Sequence, residues 1–79
     1  MKGSRLWTVE MRRFGELRQS YFVSDWGEAK EMVRLAQEQE ADITSLWVYV
    51  PGFEHPSRIY ERTADGWQQY VVRKKETQK

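Results

Sequence analysis

His55 is the only histidine in this 79-residue chain and there is no cysteine, so few side chains could act as a base or nucleophile near neutral pH. A serine or threonine paired with that lone histidine is the one nucleophile–base arrangement on offer, and no Gly-flanked serine supports it. His55 stands in Phe53-Glu54-His55-Pro56 and reads as an exposed loop residue, not as a catalytic or pH-sensing one. Glu28/Glu31 and Glu38/Glu40 could perform general acid–base chemistry only if drawn into a pocket. On an amphipathic helix they read as a solvated face. The five glycines, at 3, 15, 27, 52 and 66, are isolated, so no phosphate-cradling loop is present. Without thiolates or a histidine cluster there is no ligand set for a transition metal. No catalytic residue, metal or cofactor is therefore expected, and the chain reads as a non-catalytic protein.

Binding is the other chemistry a surface can do, and here the residue types are more informative. Four Trp, four Tyr and three Phe are interleaved with arginines. Whether they gather on one surface depends on the elements that carry them. Residues 5–12 and 17–24 alternate apolar and polar positions (Trp7, Val9, Met11; Tyr21, Val23), and Arg13-Phe14-Gly15-Glu16 between them offers a glycine for a hairpin turn. Asp25 is a predicted N-cap, with Glu28 completing a capping box. Trp26, Ala29, Met32, Val33, Ala36 and Ile43 then fall on one helical stripe, with Leu35 off it as a candidate exposed apolar contact. A third strand is predicted over 44–50, stopped by Pro51-Gly52. Residues 51–56 form a loop, and strands at 57–63 and 67–73 flank the Ala64-Asp65-Gly66 turn.

The order is ββαβββ, an α+β domain. A crossover through the helix places strand 3 beside strand 1, giving an antiparallel sheet in the order 2-1-3-4-5 with the helix on one face. One domain spans residues 1–79, with 1–4 and 74–79 as frayed polar ends. Alternation assigns Trp7, Val9, Met11, Tyr21, Val23, Leu46, Val48, Val50 and Ile59 to the helix side. The opposite, open side then receives Arg12, Arg18, Phe22, Trp47, Tyr49, Arg58, Tyr60 and Arg62. Strand 5 is undecided, because Trp67/Val71 and Tyr70/Val72 are equally good inward pairs.

Net charge is +1, but unevenly placed: +3 over residues 1–24, −4 over 25–42 and +2 over 43–79. A near-neutral total argues against a dedicated duplex-DNA binder. The basic tail Arg73-Lys74-Lys75 is short and interrupted by Glu76. The longest apolar run, Leu46 to Val50, is too short to cross a membrane, and no apolar signal region follows the N-terminal charges. No membrane association is expected, and the default location is the cytoplasm, that of the host if the chain is viral.

Leu6-Trp7-Thr8-Val9-Glu10, a second strand ending Tyr21-Phe22-Val23, and Glu28-Ala29-Lys30-Glu31-Met32 on a helix resemble the small phage-encoded inhibitors of bacterial RNA polymerase. More loosely, they are similar to small anti-CRISPR proteins. The resemblance covers about residues 6–36, leaves 51–79 without counterpart and carries over no functional residue. It implies a protein that occludes a host machine by surface complementarity.

The expected function is thus binding and inhibition or modulation of a host protein complex. The expected contacts are Arg18, Trp47, Tyr49, Arg58, Tyr60 and Arg62 on the open face, with Phe53 and His55 at the rim. On this reading Tyr60→Ala with Arg62→Ala abolishes binding and leaves the thermal melt nearly unchanged. The same face could instead stack single-stranded nucleic acid, or it could be the interface of a homodimer. A fourth reading has the acidic helix imitating nucleic-acid phosphates.

Overall fold

The computed structural model describes residues 6–72, so the expected frayed ends lie outside the described residues. Within that span the elements are β1 (Trp7–Arg13), β2 (Glu16–Val23), α1 (Trp26–Gln39), β3 (Ser45–Tyr49), β4 (Arg58–Thr63) and β5 (Gly66–Val71). The strands form one antiparallel sheet in the order β2-β1-β3-β4-β5, as the sequence predicts.

Local chemistry accounts for the boundaries. β1 and β2 are joined by Phe14 and Gly15, with φ of 50° and 85°. A two-residue turn with both φ values positive matches the right-handed twist of its flanking strands. Phenylalanine is an unusual occupant of that conformation. Its backbone N–H donates to Thr44 Oγ1 at 2.7 Å, which ties the turn to the chain just before β3. At the helix start, Asp25 Oδ1 accepts from the Glu28 N–H at 2.9 Å. The Glu28 carboxylate accepts from the Ser24 N–H at 2.8 Å, so the reciprocal half of the predicted capping box lands one residue before the cap. At the other end the Arg62 side chain reaches from β4, donating to the carbonyls of Glu40 (3.1 Å) and Ile43 (3.0 Å). An arginine from the sheet thereby satisfies acceptors where the chain leaves the helix.

Ala29, Val33 and Ala36 of α1, together with Ile43, pack on Val9, Met11, Leu46, Val48 and Tyr60 to form the core. Trp7, Tyr21, Val23, Trp26, Met32 and Trp67 close its margins. Leu35, expected to be exposed, is partly buried.

Strand β4 departs from expectation. Leu46 pairs with Tyr60, Trp47 with Ile59 and Val48 with Arg58. Directly opposed residues share a sheet face, so Tyr60, Arg58 and Arg62 belong to the helix side and Ile59 to the open side, the reverse of the predicted phase. Tyr60 is 9% exposed and belongs to the core. The arginines are tolerated beside it because each lays its guanidinium on a tryptophan: Arg58 lies 4.4 Å from the Trp26 ring centroid and Arg62 4.6 Å from that of Trp67. The β4–β5 register also settles the fifth strand. Trp67 opposes Arg62 and Val71 opposes Arg58, so both are on the helix side, and Tyr70 faces outward with Ile59.

Two stability measurements follow. Leu46→Ala, which empties the centre of the core, is expected to cost about 3 kcal/mol in denaturant unfolding. Tyr60→Ala is expected to cost a similar ~3 kcal/mol, not to leave the melt unchanged as its predicted surface position implied; a neutral result would place the ring outside the core.

Candidate functional site

The open face draws on all five strands, with most of its side chains on β1 and β3. Thr8, Glu10 and Arg12 alternate along β1, with Phe22 of β2 opposite Thr8 on one side. On the other side Tyr49, Trp47 and Ser45 of β3 oppose Thr8, Glu10 and Arg12 in turn. Ile59 continues the row beyond Trp47, and Tyr70 lies beyond Ile59.

Its centre is a closed polar network. Arg12 donates to Glu10 Oε1 through Nε (3.0 Å) and Nη2 (2.7 Å), and to the Gly15 carbonyl through Nη1 (2.9 Å). The Tyr49 hydroxyl donates to the same Glu10 oxygen at 3.1 Å. Arg12 also lies flat on Trp47, 4.2 Å from the ring centroid. The hydrogen bond to Glu10 raises the guanidinium pKa above its ordinary value, and the carboxylate's charge adds to it. Burial raises the Tyr49 phenol, and the neighbouring Glu10 charge pushes it the same way. Trp47 is partly buried beneath this arrangement, and its indole N–H has no acceptor among the described residues.

At one end of the face the network borders a groove whose lining is mixed, polar and apolar in about equal parts. Leu6, Thr8, Phe22, Tyr49, Val50 and the Pro51–Glu54 loop enclose this shallow groove of about 410 Å³. Among its lining residues Phe22 is 64% exposed and Phe53 62%. Val50, predicted for the core, instead borders this groove. At the opposite end Phe14, 81% exposed at the tip of the first hairpin, borders a second hollow with Thr44, Trp47 and residues 61–64.

Of the predicted contact residues, Trp47 and Tyr49 lie on the open face and Phe53 stands at its rim. His55 is exposed on the same loop but does not line the groove. Arg18 sits at the bulge in β2, where Met11 opposes Gln19 but Arg12 opposes Leu17; it is exposed and 3.8 Å from Glu16. Arg58, Tyr60 and Arg62 are on the helix side, although Arg62 also borders the second hollow beside Phe14. The register explains why: a two-residue loop at Ala64-Asp65 locks Arg62 opposite Trp67, so burying Trp67 turns Tyr60 inward as well. The Ala64-Asp65-Gly66 turn was legible in the sequence, but its two-residue register was not, and neither was Phe14's exposure at a positive φ.

On the helix, Arg34 is held between Glu31 and Glu38, pairing with Glu38 at 2.9 Å. The acidic segment is thus partly neutralised on its own surface. Among the described residues no three His, Cys, Asp or Glu side chains converge as metal ligands, and no helix is long and apolar enough to cross a membrane. No known protein family, curated protein or solved structure matches the chain.

The pKa of both Tyr49 and Tyr60 is raised, in each case mainly by burial. The folded state thus favours the neutral phenols. Their contribution is fully present below the ordinary tyrosine pKa of about 10 and is lost as pH rises through the folded values. Chemical denaturation is expected to show stability falling above about pH 10, less steeply in Tyr49→Phe.

Proposed function

We propose that this chain is a small non-catalytic binding protein that seats an apolar segment of a protein partner in the groove lined by Phe22 and Phe53. Following the phage-protein resemblance, the partner is a host protein complex that the chain inhibits or modulates. The observation that carries the reading is that two largely exposed phenylalanines, Phe22 and Phe53, line one groove together with Tyr49. Aromatic anchors at the centre of a patch supply most of the energy in protein interfaces, and polar groups around them set the orientation. Glu54 and Glu10 border the groove and can serve that second role.

Single-stranded nucleic acid fits the same face less well. It needs cations for phosphates and ring faces for bases. The face's central cation, Arg12, is already bonded to Glu10 and covers one side of Trp47. Arg58 and Arg62 are on the far side of the sheet.

The experiment is capture from bacterial lysate with the tagged chain, with and without nuclease, using wild type beside Phe22→Ser/Phe53→Ser. The wild type is expected to retain a discrete protein after nuclease treatment. The double variant is expected to lose it while its unfolding free energy changes by no more than about 0.5 kcal/mol, since both rings are exposed. Retention by the variant would move the site elsewhere. Nucleic acid in the wild-type eluate, with proteins lost on nuclease treatment, would favour the stacking reading.

A further inference from the structure

We infer that the chain self-associates through the free edge of β5, a second copy adding its own β5 antiparallel across a two-fold axis at Gln69. Among the described residues β5 ends the sheet, and its sequence, Gly66-Trp67-Gln68-Gln69-Tyr70-Val71, holds neither a charge nor a proline. Long, uncharged, regular edges are what sheet proteins otherwise guard against, because their unpaired N–H and C=O groups template another strand. The opposite edge, β2, is guarded: it bulges at Arg18 and carries Glu16 and Arg18.

The ladder fixes which groups of β5 are on offer. Val72 N–H donates to the Ser57 carbonyl at 2.9 Å, and hydrogen-bonded pairs alternate from there, so Tyr70, Gln68 and Gly66 spend their backbone groups on β4. Trp67, Gln69 and Val71 therefore turn theirs to the free edge. These three are evenly spaced about Gln69. A second copy in the register Gln69 to Gln69, Trp67 to Val71 and Val71 to Trp67 uses all three N–H and all three C=O groups of each strand, six hydrogen bonds in all.

The side chains agree with that register. On the helix side Trp67 meets Val71 of the other copy. On the open side Tyr70 meets Gln68. No like charges are opposed, because β5 has none. The strand also has exposed apolar surface to cover: Tyr70, Val71 and Val72 are 48%, 55% and 38% exposed. A foreign strand could use the same edge, but the symmetry of donors about Gln69 and the absence of charge favour a copy of this chain. The two-fold arrangement closes on itself, joining two five-stranded sheets and leaving a bulged β2 at each outer end.

The test is sedimentation velocity of the full chain at about 100 μM, a concentration at which any dimer with a Kd of about 1 μM or tighter dominates. The wild type is expected to sediment as a dimer. Gln69→Pro is expected to be monomeric with an unchanged melt, because that N–H makes no bond among the described residues and proline is tolerated where the N–H faces outward. If proline disturbs the fold, Gln69→Lys keeps the backbone intact and opposes two like charges at the axis. It is expected to weaken the dimer at least tenfold at low salt, with partial recovery at high salt. Phe22→Ser is expected to leave the dimer intact, which separates this edge from the groove proposed above. A wild-type monomer at this concentration overturns the inference. So does a dimer that survives both Gln69 variants, or one that Phe22→Ser abolishes.

Discussion

One helix has to shield one side of a five-stranded sheet, and it is too narrow to do so. Fourteen residues of α-helix make a rod about 21 Å long and 10 Å across, whereas five strands at about 4.8 Å spacing need nearly twice that width. The helix packs over β1 and β2, where Ala29, Val33 and Ala36 meet Val9 and Met11. The far side of the sheet needs another roof. Arg58 and Arg62, which flank Tyr60 on the same face of β4, supply it by lying on Trp26 and Trp67. Residues that look like surface cations in the sequence therefore complete the helix-side layer. Arg62 also binds the carbonyls of Glu40 and Ile43, so the same side chain fastens β4 to the helix exit.

That solution removes two arginines from the open face and changes what the face can do. What remains there is an ordered pattern: a committed polar centre of Glu10, Arg12, Tyr49 and Trp47, with exposed phenylalanines at either end. The centre is satisfied within the chain, apart from the Trp47 indole N–H, so its contribution to recognition is shape and rigidity more than unpaired charge. The ends are different. Phe22, Phe53 and Phe14 keep most of their surface in solvent. A small domain has little stability to spare. Exposing three phenylalanines does nothing for its core, which is why the groove and not the polar centre is the better place to look for a partner.

The same shortage of covering material governs the edges. β2 is adjacent to the helix and twisted by its bulge, whereas β5 lies beyond the helix's reach, neutral and regular. A chain without disulfides has few ways to add stability, and pairing its unguarded edge is one that requires no new core.

The sequence by itself determined the elements and the sheet order. Period-two alternation in β1 and β3, the Asp25 cap and the helical stripe are local signals, and each strand connection left little topological choice. The core contributions of Val9, Met11, Leu46 and Val48 were legible for the same reason. The facing of β4 was decided only in three dimensions. Ile59 and Tyr60 are both acceptable inward residues, and alternation cannot choose between neighbours when each phase offers one apolar side chain. The choice came from register: Tyr60 had to share a face with Leu46 across one ladder and with the Trp67 row across the other. The functional surface inherited that decision, because a one-residue change of phase moves Arg58, Tyr60 and Arg62 together from one side of the sheet to the other.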